Sequence, residues 1–238
     1  MALSSEQSEA RRLLDDRSPA DAFAAYYALH HDPNRTTLFI HRNRDGQPDG
    51  FLVRAQTGMD LFRPVVAVRA ASDEAARDLF RTGLVANRPY YLVAPFSLAQ
   101  AVNRTLTITD PEVLGLYRLD PAKFDPELNI LVVSNPAPDG SPRFEISSNG
   151  AVHAAAGVNW RSPYFAEVYV YTEPAARGRG WGKSVTSALV AALLKSRLTP
   201  LYVVNERNTA SIKLAESVGF VDTGQREYAG QVLLPQSP

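Results

Sequence analysis

The chain has 238 residues and no cysteine. Disulfides, thiolate metal sites and a cysteine nucleophile are therefore excluded, and the absence fits an intracellular protein. Its histidines are only His30, His31, His41 and His153, and they show no metal-ligand spacing, so no metal is expected. Charge of one sign is also lacking. Lys+Arg and Asp+Glu stand at 25 each, which leaves no basic field to draw the chain to nucleic acid or a membrane surface. No run approaches the roughly 18 apolar residues that a membrane span needs. The N-terminus MALSSEQSEARRLLDD turns charged before any apolar stretch develops, unlike a signal peptide. A cytoplasmic protein is the expectation. The length allows one large domain or two small ones.

What is present is an alternation of short β-rich runs and amphipathic stretches. Residues 4–14 and 19–29 read as helices, the second with an N-cap Ser18 before Pro19. Phe23, Tyr26, Tyr27 and His30 fall at helical spacing and read as a core-facing stripe. Strands follow at 36–41, 51–55 and 64–70, the first two separated by a turn containing Asp49-Gly50. Ser72 caps a helix that carries Ala76, Leu79, Phe80 and Leu84. A strand at 89–94, a short helix SLAQAV and a strand EVLGLYRL complete the first half.

The second half repeats this grammar. Strands AVHAAAGV and FAEVYVY precede a glycine-rich loop and a helix over 182–198, which buries Val185, Leu189, Ala192 and Leu193. A strand at 200–204 and a helix at 208–218 follow, the helix closing on Gly219-Phe220 as a left-handed cap with its apolar partner. The blocks "DGFLVRA…RPVVAVRA…RPYYLVAPF" and "NGAVHAA…FAEVYVY…TPLYVVNER" occur in the same order, which suggests an internal duplication. The proline-punctuated stretch 120–126 is the natural join. It divides the chain into a half at 1–125 and a half at 126–238.

The loop EPAARGRGWGKSV decides the chemistry. An ATPase-type phosphate loop needs glycine five residues before Gly182, and that residue is Arg177. The dinucleotide fingerprint needs glycine at 183, and that residue is Lys183. A third pattern, [Q/R]-x-x-G-x-[G/A] between a strand and an amphipathic helix, fits Arg177-Gly-Arg-Gly-Trp-Gly182. Free N–H groups at the helix start would favour an anion there. Arg177 and Arg179 add positive charge, and glycine at 178, 180 and 182 removes side chains that would block close approach.

Here the chain resembles the Gcn5-related N-acetyltransferase (GNAT) superfamily, whose acyl-CoA pyrophosphate rests on such a loop. Downstream, NTASIKLAESVGF is similar to the family's later motif, with Asn208, Ser211, Leu214, Gly219 and Phe220 in place. Upstream, FAEVYVY resembles the strand whose backbone pairs with the pantetheine arm. The resemblance covers roughly 143–228; residues 1–125 look like a degenerate copy without the loop. It implies an α/β fold: a GNAT-like mixed central sheet flanked by helices, in two tandem halves, only the second with the acyl-CoA loop.

It also implies acetyl-CoA or another acyl-CoA as co-substrate, and an N-acyltransferase acting by direct attack of a primary amine. The acceptor would be a small-molecule amine or a peptide N-terminus, with a homodimer as one assembly open to it. Val170, Tyr171, Thr172, Arg177, Gly178, Arg179, Gly180, Trp181, Gly182, Lys183, Asn208 and Ser211 would hold the cofactor. Glu167 interrupts an apolar strand and is the candidate base, because apolar neighbours raise a carboxyl pKa. The tyrosine that many members carry five residues before the Gly-Phe phenylalanine is Ala215 here. Ser211 is therefore the candidate proton donor, with Tyr202 and Tyr228 as weaker ones. The alternative is a non-catalytic acyl-CoA-binding module, in which the loop persists without acid and base.

Overall fold

The computed structural model describes residues 3–57 and 62–236. The chain forms two compact units, Met1–Leu114 with Arg226–Pro238, and Gly115–Gln225.

In the first unit, α1 (Ser5–Arg12) opens on a reciprocal cap: Gln7 N–H donates to the Ser4 hydroxyl, and Ser4 N–H donates to the Gln7 side chain. α2 (Ala22–Ala25) runs into a π turn at Tyr26–His30. That wider turn moves the following residues out of the 3.6-residue phase. Tyr27 is buried and His30 exposed; the ring that packs on Tyr27, at 5.3 Å between centroids, belongs to His31. The expected stripe is thus corrected at its last member.

Next come β1 (Thr36–Arg42), β2 (Pro48–Ala55), β3 (Val65–Ala70), α3 (Asp73–Gly83), β4 (Pro89–Pro95), α4 (Ala99–Thr105) and β5 (Thr107–Leu119). The β1–β2 turn is not at Asp49-Gly50. Residues 43–47 make it: Gly46 adopts φ 76°, and its N–H donates to the Asn43 carbonyl at 2.9 Å. Gly50 lies within β2, where a Cβ would stand 3.1 Å from the Arg69 carbonyl oxygen. Close approach, not a turn, requires that glycine.

The second unit adds β6 (Val133–Ser134), β7 (Phe144–Ser148), β8 (Ala151–Arg161), β9 (Phe165–Thr172), α5 (Trp181–Lys195), β10 (Thr199–Asn205), α6 (Thr209–Val218) and the start of β11 (Phe220–Leu233). Both units use the same connections. β1–β2–β3 and β7–β8–β9 are antiparallel meanders, and α3 and α5 are crossovers to a parallel strand, β4 and β10. The duplication is therefore present as topology. They differ at the crossover: β3 reaches α3 through Ala71 and Ser72, whereas β9 reaches α5 through the glycine loop. Ser72 caps α3 as expected, its hydroxyl accepting the Ala75 N–H at 3.1 Å, with Asp73 and Glu74 in the first turn.

Strand order is β1-β2-β3-β4-β11-β5 in the first unit and β11-β5-β10-β9-β8-β7-β6 in the second, because β5 is divided at Leu114/Gly115 and β11 at Gln225/Arg226. These units differ from the division expected at 125/126. Glu227 to Leu233 pair antiparallel with β4, and Tyr228 and Val232 enter the core built on Leu52, Phe80 and Leu92. Tyr117 and Leu119, at the end of β5, enter the core built on Leu189, Leu193 and Phe220. The prolines at 121 and 126 punctuate a loop within the second unit rather than a boundary.

Candidate functional site

β9 and β10 pair in parallel only at Thr199↔Phe165, Pro200↔Ala166 and Leu201↔Glu167. Beyond that point the parallel register ends, and among the described residues 168–172 and 202–204 are not paired across the fork. Along β9, side chains alternate between faces. Val170 and Thr172 line a cleft of about 550 Å³ on the α5–α6 side of the fork. Glu167, Tyr169 and Tyr171 therefore point to the opposite face, and half-exposed Tyr171 does not line the cleft. A volume of this size is usual for a small-ligand site.

The glycine loop closes one end of the cleft. Gly178 and Gly180 have φ of 78° and 77°, the left-handed region that costs other residues about 1–2 kcal/mol. Around both, a Cβ would meet nothing within 4 Å, so conformation is what requires glycine there. The N–H groups of residues 178–183 find no acceptor among the described residues. Those of Trp181, Gly182 and Lys183 are the first-turn donors at the positive end of α5, suited to an anion.

Gly182 differs from its neighbours. A Cβ there would lie 2.8 Å from Leu214 Cδ1 and 2.9 Å from Thr172 Oγ1, so this glycine permits packing between α5, α6 and β9. Arg177 lines the cleft, whereas Arg179 stacks 5.1 Å over the Trp181 ring and does not. Lys183 lines it too, and its Nζ stands 3.3 Å from Glu127 Oε2, while Ser184 Oγ donates to Glu127 Oε1 at 2.9 Å. The Gly-Lys-Ser ending thus ties the 127 segment to α5.

At the other end, Tyr202 is the first residue of β10 past the last parallel pair. Its hydroxyl is 2.8 Å from Ser211 Oγ, and both side chains line the cleft. Burial pushes the Tyr202 pKa up, against a lowering by the Ser211 hydrogen bond, so the phenol keeps its proton at neutral pH. Asn208 caps α6, its Oδ1 accepting the Ser211 N–H at 3.1 Å. Ala215 is buried in the same core as Tyr202 and Phe220. Glu167 lies at the root of the fork and outside the cleft. Its Oε1 accepts from Asn159 Nδ2 and its Oε2 from Trp160 Nε1, both at 2.6 Å. Burial raises its pKa; the two hydrogen bonds lower it by less.

A forked parallel pair, a donor-rich glycine loop and a helix behind it, set in a mixed sheet, match known structures. This is the GNAT fold. Residues 147–229 match the family model of FR47-like protein. An acetyltransferase from the GNAT family of Colwellia psychrerythraea superposes with a TM-score of 0.57 at 13% identity, covering 97% of each chain. A GCN5-related N-acetyltransferase-like protein from Streptococcus suis gives 0.59 at 14%, over 90% of this chain and 98% of that one. A tandem GNAT protein from the clavulanic acid biosynthesis pathway gives 0.59 at 14%, over 100% of this chain and 98% of that one. No curated protein matches the chain. The match to the tandem GNAT protein runs through both halves, and only the second half here carries the glycine loop. Among the described residues, no group of side chains could hold a metal ion, and no helix is long and apolar enough to cross a membrane.

No spacing rule says where two parallel strands stop pairing, so Tyr202 is only a weak candidate from the sequence although it lines this cleft. Glu127 carries no sequence signal, because its partners Lys183 and Ser184 are more than fifty residues away.

Proposed function

We propose that the second unit moves an acetyl or other short acyl group from acyl-CoA to a primary amine by direct attack. The observation that carries this reading is the free N–H row at 178–183, at one end of a cleft whose other end is an opened strand fork. The donor row and Arg177 would hold the pyrophosphate, and the unpaired edge of β9 at 168–172 would take the amide arm. The residues fit such a ligand: the donors lack acceptors, and space over Gly178 and Gly180 is open.

The acceptor amine would approach from the Glu167 face. Its nitrogen bonds to the acyl carbon, the carbon–sulfur bond breaks, and a proton passes to Glu167 directly or through water. The thiolate takes a proton from the Tyr202 hydroxyl, which Ser211 orients. Ala215, in place of the usual tyrosine, favours a second reading as a non-catalytic acyl-CoA-binding module. Radiolabelled acetyl-CoA with a panel of primary amines separates the two: label should appear in an amide. The module reading instead expects protection from thermal unfolding by CoA, but not by ATP or NAD, without transfer.

The glycines divide the roles further. Gly180→Val forces a β-branched residue into the left-handed region at the donor row, and CoA affinity should fall about tenfold or more by calorimetry. Gly182→Val overpacks α5 against Leu214 and should cost about 1–3 kcal/mol of stability, read as a lowered Tm. Tyr202→Phe and Ser211→Ala each remove one hydroxyl while water can still reach the thiolate. Each should lower turnover only about tenfold, the worth of one hydrogen bond, with CoA affinity kept.

A further inference from the structure

Outside the cleft, three side chains from neighbouring strands form a relay that the acyl-transfer reading does not use. Ser148 Oγ lies 2.7 Å from His153 Nε2, and His153 Nδ1 lies 2.6 Å from Glu173 Oε2. A β-bulge makes this possible. The β7–β8 register steps from Ser147↔Val152 to Ile146↔Ala154, which leaves His153 as the extra residue. Such a bulge re-aims a side chain, and here the imidazole is turned between the end of β7 and the residue that follows β9. The Glu173 N–H donates to the His153 carbonyl at 2.8 Å, so backbone and side chain hold the carboxylate against the ring together.

Each partner has the geometry of a triad role. The Glu173 carboxylate places the imidazole proton on Nδ1, which leaves Nε2 to accept from the Ser148 hydroxyl. Ser148 is exposed and open to a substrate. The next two residues make the hairpin turn, with Asn149 at φ 50° and Gly150 at φ 79°. Their N–H groups donate to no acceptor among the described residues. The first of them belongs to the residue after the serine, where a developing oxyanion would need a donor. The Trp181 ring, 5.8 Å from the imidazole, walls one side.

We propose that Ser148, His153 and Glu173 form a second, hydrolytic site, which cleaves short-chain acyl esters. Ser148 and the turn at Asn149-Gly150 are exposed, which suits an ester with a small acyl group. Ser148 Oγ adds to the ester carbonyl while His153 Nε2 takes its proton. The carbon–oxygen bond to the alcohol breaks, and the alkoxide leaves with that proton. Water, deprotonated by His153, then releases the carboxylic acid and restores Ser148.

The test is exposure of the full chain to a fluorophosphonate, with the adduct located by peptide mass spectrometry, beside hydrolysis of 4-nitrophenyl acetate. One adduct is expected on Ser148, forming at least ~100-fold more slowly in His153→Gln, the low end for loss of a general base. Hydrolysis should fall to the uncatalysed rate in Ser148→Ala, whose Tm should match the parent because the side chain is exposed. No adduct on Ser148, equal labelling of His153→Gln, or unchanged hydrolysis by Ser148→Ala would each overturn the proposal.

Discussion

Ending the chain at Gln225 should abolish folding of the first unit. The deleted segment is the strand that covers β4, through seven paired positions from Glu227↔Pro95 to Leu233↔Pro89. Its loss would strip Tyr228, Ala229 and Val232 from the interior, where Ala229 and Val232 are 0% exposed. It would also break the 3.0 Å hydrogen bond from the Tyr228 hydroxyl to Asn103. Removing a single large core side chain costs about 2–5 kcal/mol, and several vanish here together. Arg69 would lose more than contact. This buried guanidinium faces Asp21 at 3.0 Å and Glu227 at 3.6 Å, and an imperfectly paired buried charge is strongly destabilising. The uncovered edge of β4, with Leu92 and Val93 behind it, would favour aggregation. Hydrogen exchange should show protection lost throughout β2, β3 and β4 in the truncated chain. Wild-type protection there would mean that the first repeat is complete without its last strand.

That result bears on how much of the molecule could be read in advance. Local grammar was legible: the Ser72 cap, the Gly219 stop and the order of strands and helices follow from capping chemistry and periodicity, which act within a few residues. The parallel crossovers were legible as blocks repeated in one order. Strand partnership was not. Tyr228 belongs with Leu92 because of which edge of β4 lies open, and that depends on contacts more than a hundred residues apart. Hence the sequence put a boundary among prolines 121 and 126, where the chain only turns. The cleft divides in the same way. Glycines 178 and 180 announce a special backbone, but Gly182, read as one more of the series, answers to Leu214 on another helix. Glu167 stands out in its strand as an interruption. Its pairing with Asn159 and Trp160 depends on a β8–β9 register shift between Val158 and Trp160, which no motif encodes.

Glu167→Gln should lower turnover on a confirmed amine by roughly 10²–10⁴-fold, the range for loss of a general base. The side chain sits where β9 and β10 part, so a group attacking through the fork passes within its reach. Both oxygens already hold donors, and the variant can satisfy the same pocket. Glutamine Oε1 accepts from Trp160 Nε1, while its amide donates to an Asn159 side chain turned by half a rotation. Folding and CoA affinity should therefore survive. The pH–rate profile gives the second readout. Burial raises the Glu167 pKa, so the acidic limb of the parent should lie above the ordinary glutamate value of about 4.3. That limb should disappear in the variant.

Stability carries the opposite sign. A carboxyl whose folded pKa is raised favours the folded state below its unfolded pKa, and this contribution fades as pH climbs through the folded value. The parent should thus lose stability relative to Glu167→Gln over the window in which it gains activity. Thermal melts across that window, set beside turnover, test both signs in one variant. If Glu167→Gln keeps full turnover and the acidic limb, the amine arrives neutral and positioning by the fork alone carries the rate.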